Sequence, residues 1–253
     1  MGAAPTHDDL GYAVDLPARP TRVISLVPSL TEAIAATAPE VLVGATDWCT
    51  HPAGLDVVRV RGTKNPDRAA IATLRPDLVV ANKEENRELD VDRLRAAGIP
   101  VWVTDIVDVP TALASMARLV AVLTEDEPVW LRQARELWSG PVPSPHTRVA
   151  VPIWRDPWMV VGGATYTSDL LARLGLANVF AGRERYPHVE LGEIDTSRVD
   201  VVLLPDEPYV FTADDGPEAF ARVSTRLVSG RLLTWYGPAM IEAHAMGARF
   251  RPA

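Results

Sequence analysis

The sequence predicts an α/β protein of two lobes, each with a parallel sheet, joined by a long rigid helical span. Three observations carry this expectation. Short apolar runs rich in β-branched residues alternate with helical stretches between Arg22 and Thr104, and again between Arg148 and Gly247. That alternation is the mark of parallel strands with helices on the faces of the sheet. A helical stretch from Val109 to Trp138 separates the two regions. Finally, 253 residues at 47% hydrophobic and 23% charged suit one large globular domain or two small lobes.

The elements follow in order. Val23–Val27 reads as a buried strand, and Ser29-Leu30-Thr31-Glu32 is a capping-box pattern opening a helix to about Thr37. Val41–Ala45 is the next strand, followed by a loop with Trp48, Cys49 and His51. Asp67–Leu74 reads as a short helix, and Arg75-Pro76-Asp77 turns into strand Leu78–Ala81. A helix over Glu85–Ala97 is closed by Gly98, before strand Pro100–Thr104. The helical span breaks near Thr124, and Pro128 sits where a first turn tolerates it. After the turn-rich GPVPSP at 140–145, strands are expected at Arg148–Ile153, Trp158–Val161, Val199–Leu204 and Leu232–Trp235. Helices are expected at Thr165–Leu174, Gly192–Ser197, Pro217–Val223 and Pro238–Gly247. The boundaries implied are 1–108 for the first lobe, 109–140 for the connecting helix and 141–253 for the second lobe. No residue-level repeat between the lobes is evident.

Charge and cysteine content exclude several functions. The net charge is −8 with no basic run, which argues against nucleic acid or an anionic membrane surface as partner. No segment is apolar for long enough to span a bilayer. One cysteine permits no internal disulfide. The first residues show neither a basic segment nor an apolar one of secretory type. A cytoplasmic location is therefore expected, and a periplasmic or extracellular one only if a leader has been removed.

Ligands of open α/β sheets bind beyond the carboxyl ends of the strands. The residues there include Trp48, Asn82, Lys83, Asn86, Trp154, Arg155 and Trp235-Tyr236, with Trp158 close by. Aromatic faces with a few polar groups suit a small-molecule cleft. Trp102 reads as core, and Trp130 and Trp138 as packing on the connecting helix. Asp47, Cys49 and His51 alternate, so an extended segment would turn all three to one side as metal donors. The alternative for this loop is plain structure, or an enzyme site using Cys49, His51, Asp47 or Glu85. Gly162-Gly163-Ala164-Thr165 lacks the phosphate-loop patterns and reads as a turn and helix cap.

Several motifs together resemble a known family. RVISLVPSLTE at 22–32, GTKNP at 62–66, LRPDLVVA at 74–81 and LRAAGIPV at 94–101 look like the N-lobe of class III substrate-binding proteins. Thr165-Tyr166, Asp169-Leu170-Leu171, Leu174-Gly175, Asn178-Val179-Phe180, Tyr186-Pro187 and 200–204 are similar to the C-lobe. These proteins are the cobalamin, haem and ferric-siderophore receptors of ABC importers. The resemblance implies two Rossmann-like lobes and a non-catalytic protein holding a metal chelate in the cleft between them. Cobalamin, haem or a ferric siderophore is then the expected ligand, and no resident cofactor is implied. Trp48, Trp154, Trp158, Tyr186, Trp235 and Tyr236 would supply apolar walls. Lys64, Asn82, Lys83, Asn86 and Arg155 would supply polar contacts. Where the family places acidic residues that dock onto permease arginines, this sequence has Ala69 and Gly192, with Glu193 beside the latter. That departure points to a binding protein without transport coupling.

Overall fold

Parallel strands around a fully buried central strand organise each half of the chain. A computed structural model describes residues 6–250; the outermost residues of the two expected domains, 1–5 and 251–253, lie outside the described residues. The chain divides into two compact units. The first comprises the residues up to 106 together with 113–133 and 236–238, and the second comprises 107–112, 134–235 and the residues from 239 on. Helix Val109–Leu123 thus begins in the second unit and ends in the first.

In the first unit a parallel sheet runs in the order Val58–Arg59, Leu42–Ala45, Val23–Ser25, Leu78–Asn82 and Val101–Thr104. Every residue of Val23–Ser25 and Leu78–Asn82 is buried, as expected of strands with both faces covered. Helices Arg68–Thr73 and Glu88–Ala96 bring Ile71, Val91 and Leu94 into a core with Ile24, Leu26, Val79 and Val101. Helix Pro28–Ala35 begins one residue before the expected capping box. Its N-cap is Val27, with no side-chain cap, and proline sits in the first turn.

The second unit has its own parallel sheet, in the order Leu176–Asn178, Thr147–Ala150, Val201–Pro205 and Ser224–Val228. The expected strand Arg148–Ile153 is two elements, because Pro152–Trp154 leaves the sheet and pairs antiparallel with Met159–Val160. Two other expectations are corrected. Leu232–Trp235 is not a strand: Gly230–Thr234 is a short helix with Trp235 as its C-cap. The edge strand is instead Ser224–Val228, and the expected helix Pro217–Val223 shrinks to a 3₁₀ turn at Pro217–Ala219.

The structure also reveals a correspondence between the units that the sequence hid. In the first unit the Asp77 carboxylate accepts from the Arg22 and Thr21 N–H groups at 3.0 and 2.8 Å, and Asp77 N–H donates to Arg22 O at 2.8 Å. In the second, Asp200 accepts from Arg148 N–H at 2.7 Å, and Asp200 N–H donates to Arg148 O at 2.8 Å. Each aspartate directly precedes a central strand, Leu78–Asn82 or Val201–Pro205, and latches it to its neighbour.

Candidate functional site

In the first unit the loops after the strands form one hydrogen-bonded cluster. Strand Leu78–Asn82 ends on Asn82, whose Nδ2 donates to Thr104 Oγ1 at 3.0 Å and whose Oδ1 accepts from Glu84 N–H at 2.9 Å. Asn86 Oδ1 accepts from Asn82 N–H at 2.8 Å, and its Nδ2 donates to Thr63 O at 2.9 Å and Leu26 O at 3.3 Å. Both asparagines are buried and committed to backbone groups and the Thr104 hydroxyl. Their expected role as ligand contacts is therefore corrected: they tie three strand-end loops together. Lys83 is exposed and pairs with Asp105 at 2.6 Å. Lys64, also exposed, donates to the carbonyl of Glu84. Partial desolvation pulls its pKa below the usual lysine range; Glu85 opposes that shift and Arg87 adds to it.

Trp48 is the most exposed aromatic residue on these loops, at 67%. A Cβ built on Gly62 would stand 3.3 Å from the Trp48 indole nitrogen, so the ring lies beside the hairpin Arg61–Gly62/Asn65–Pro66 that carries Lys64. The Trp48 loop is not extended, and the expectation that Asp47, Cys49 and His51 share one side is corrected. Cys49 is fully buried, with Sγ at 3.0 Å from Thr31 Oγ1 and 3.1 Å from Thr46 Oγ1, whereas Asp47 and His51 are exposed. The loop folds this way because Cys49 N–H closes a tight turn onto Thr46 O. Burial pushes the Cys49 thiol up, with the two threonine hydroxyls and Arg59 opposing. Among the described residues no group of three His, Cys, Asp or Glu side chains is placed to hold a metal ion.

Tyr236, expected as a ligand wall, is instead buried in the first unit, its hydroxyl 3.4 Å from Glu85. Burial, reinforced by the Glu85 charge, keeps that phenol protonated. A shallow open depression lined by Arg22, Leu42, Asp56 and Leu74 lies at the amino ends of the strands and includes none of these side chains.

In the second unit an aromatic row runs from the surface into the core. Trp154, 46% exposed, meets Tyr209 edge-on at 5.5 Å; Tyr209 lies 4.7 Å from Phe211, and Phe211 stacks on Trp158 at 6.1 Å. Trp158 is buried in the core beside Val160 and Phe180, so it backs the row and does not face solvent. Arg155 is not a free cation. Its guanidinium pairs with Asp215 and Glu218 and lies over the Trp158 ring. Trp235 is buried too; its indole donates to Glu207, whose carboxyl burial pushes up, and Arg231 covers the ring. Tyr186 remains 37% exposed on the segment that bonds Gly162 and Gly163. Those glycines serve close backbone approach, since a Cβ at either would collide with carbonyls of 181–185. The remaining tryptophans read as packing are buried: Trp102, Trp130 bonding Thr37 and Trp138 bonding Met240 O.

The structure thus keeps Trp48, Lys64, Lys83, Trp154 and Tyr186 accessible and withdraws the other expected contacts. The sequence reading missed Arg59, Tyr209 and the hairpin at 61–66. A second aromatic two residues before Phe211 was the one available signal.

No protein-family model matches the chain. The vitamin B12-binding proteins of Yersinia pestis (strain Pestoides F) and Yersinia pseudotuberculosis (serotype O:1b, strain IP 31758) are each 28% identical over 196 residues, 72% of this chain and 69% of theirs. Among solved structures, the periplasmic vitamin B12 binding protein BtuF of Vibrio cholerae is similar with a TM-score of 0.75 at 19% identity, over 91% of this chain and 96% of that one. A periplasmic heme binding protein from Pseudomonas aeruginosa gives 0.75 at 20%, over 92% and 94%. In sequence the chain is similar to vitamin B12-binding proteins, and its fold is that of periplasmic binding proteins of known structure.

Proposed function

We propose that the protein is a substrate-binding receptor for a flat metal chelate of the corrinoid, haem or siderophore kind, gripped by aromatic faces on the strand-end loops. The carrying observation is Trp48, two-thirds exposed between Asp47, whose N–H is bonded to Arg61 O, and the buried Cys49. An indole left in water forgoes the stabilisation of burial, so its exposure on a fixed loop suits a surface completed by ligand. Relatives named for vitamin B12 binding and structural neighbours named for heme binding support the class of ligand. Lys64 suits an anionic substituent at the rim. Titration with cyanocobalamin and with hemin tests the reading: quenching of tryptophan fluorescence at micromolar ligand is expected. Trp48→Ala should weaken binding about tenfold or more, as loss of a central aromatic anchor does. Binding of neither compound would overturn the reading.

The protein is further proposed to be no enzyme. The Cys49 thiol is buried with a raised pKa, the opposite of a reactive cysteine. It is also proposed to act without a permease. Exposed Ala69 and Gly192 offer no charge, and Glu193 is engaged by Arg183 and the Glu190 N–H. A cytoplasmic location is part of the same proposal, since one free buried thiol needs no oxidising compartment; fractionation of the native host tests it.

A further inference from the structure

Arg59 sits on the edge strand Val58–Arg59, paired through Arg59 with Ala45. Its Nη1 donates to Thr46 O and to Cys49 O, both at 2.9 Å, and its Nη2 to Leu55 O at 3.3 Å. The two nearer carbonyls flank Trp48 in sequence, so one guanidinium nitrogen grips the loop on both sides of the indole. On the inner side the same loop is pinned by the fully buried Cys49 side chain between two threonines, and Asp47 N–H donates to Arg61 O at 2.8 Å. These bonds fix the backbone of a residue whose own ring stays largely in solvent. A planar fork with several donors can span carbonyls in this way; a lysine ammonium on a flexible stem holds them far less rigidly.

We infer that Arg59 is a positioning residue for ligand binding: it pre-organises Trp48, so that the ring meets a flat ligand face without first having to be ordered. The inference rests on the reading of Trp48 as ligand-facing. Ordering one side chain on binding carries an entropic cost that corresponds to about a two- to tenfold loss of affinity. Arg59→Lys should show that loss, through Trp48 alone.

Two measurements test this. The first needs no ligand. In protein labelled with 5-fluorotryptophan, with the Trp48 resonance assigned by Trp48→Phe, Arg59→Lys and Arg59→Gln should shift the Trp48 signal towards that of the free amino acid. The signals of Trp102, Trp130 and Trp138 should stay in place and report an intact fold. An unmoved Trp48 signal in both variants overturns the inference even if no ligand is found. The second is a double-mutant cycle on affinity for cyanocobalamin or hemin, measured by calorimetry. Arg59→Lys should weaken binding about two- to tenfold in the parent protein and have no further effect in Trp48→Ala. Equal losses in both backgrounds would show that Arg59 acts elsewhere and overturn the inference. Failure of the parent protein to bind either compound would instead count against the proposed function, leaving the fluorine result to decide on Arg59.

Discussion

A single asparagine holds the end of strand Leu78–Asn82 to its neighbour and starts the following loop. Asn82 fills both ends of its amide with partners, donating to Thr104 and accepting from the Glu84 and Glu85 N–H groups. Asn82→Ala removes these bonds from a buried strand end, so it should destabilise the protein by about 1–3 kcal/mol in urea unfolding. A side chain that served only to touch ligand at an accessible site could be truncated with stability nearly unchanged. The asparagine also shows where the sequence stopped being legible. Polar residues after a strand read equally well as ligand-binding groups or as satisfiers of backbone groups. Only their neighbours in space distinguish Asn82 and Asn86, which are buried and bonded, from Lys64 and Lys83, which reach solvent. The tryptophans divide in the same way. Trp102, Trp130 and Trp138 follow from their places within elements, while the burial of Trp158 and Trp235 depends on Phe211 and Glu207, distant in sequence.

Among the elements, the two aspartate latches make the clearest pH prediction. The Thr21 N–H, partly offset by desolvation and helped by the Thr21 hydroxyl and Arg22 N–H, holds the Asp77 carboxyl below the usual carboxylate range. The Arg148 side chain and N–H do the same for Asp200. A carboxyl with a depressed folded pKa binds protons more readily in the unfolded chain. Its stabilisation is therefore complete above the unfolded value of about 3.9 and disappears as pH falls through the lower folded value. The double variant Asp77→Asn/Asp200→Asn should be less stable than the parent at pH 7, and the difference should shrink on acidification. Urea midpoints at neutral and acid pH check this, and a constant difference would remove the latches from the acid response. Most elements of the first unit were legible because their strands are continuous apolar runs. Leu232–Trp235 misled because four apolar-rich residues do not separate strand from helix. Ser224–Val228 was passed over because an edge strand open to solvent carries no unbroken apolar signal.

For the molecule as a whole, ligand binding should appear as stability. A ligand held by the folded protein alone, at a hundred times its dissociation constant, adds about 2.7 kcal/mol. For a chain of this size that corresponds to roughly 5–10 °C in Tm. Thermal scans with cyanocobalamin or hemin should rise by that amount in the parent and by less in Trp48→Ala at the same concentration. No rise in either would contradict binding at the folded loops.

Neither unit is written as one uninterrupted stretch of sequence. Residues 236–238 complete the first unit, and the buried Tyr236 hydroxyl reaches Glu85 there. Helix Ala239–Met246 returns to the second unit. On the ribosome, then, the Glu85 end of the first unit lacks its Tyr236 partner until 151 further residues have been made. The two units are then completed by adjoining residues, 236–238 in the first and the helix from Ala239 in the second.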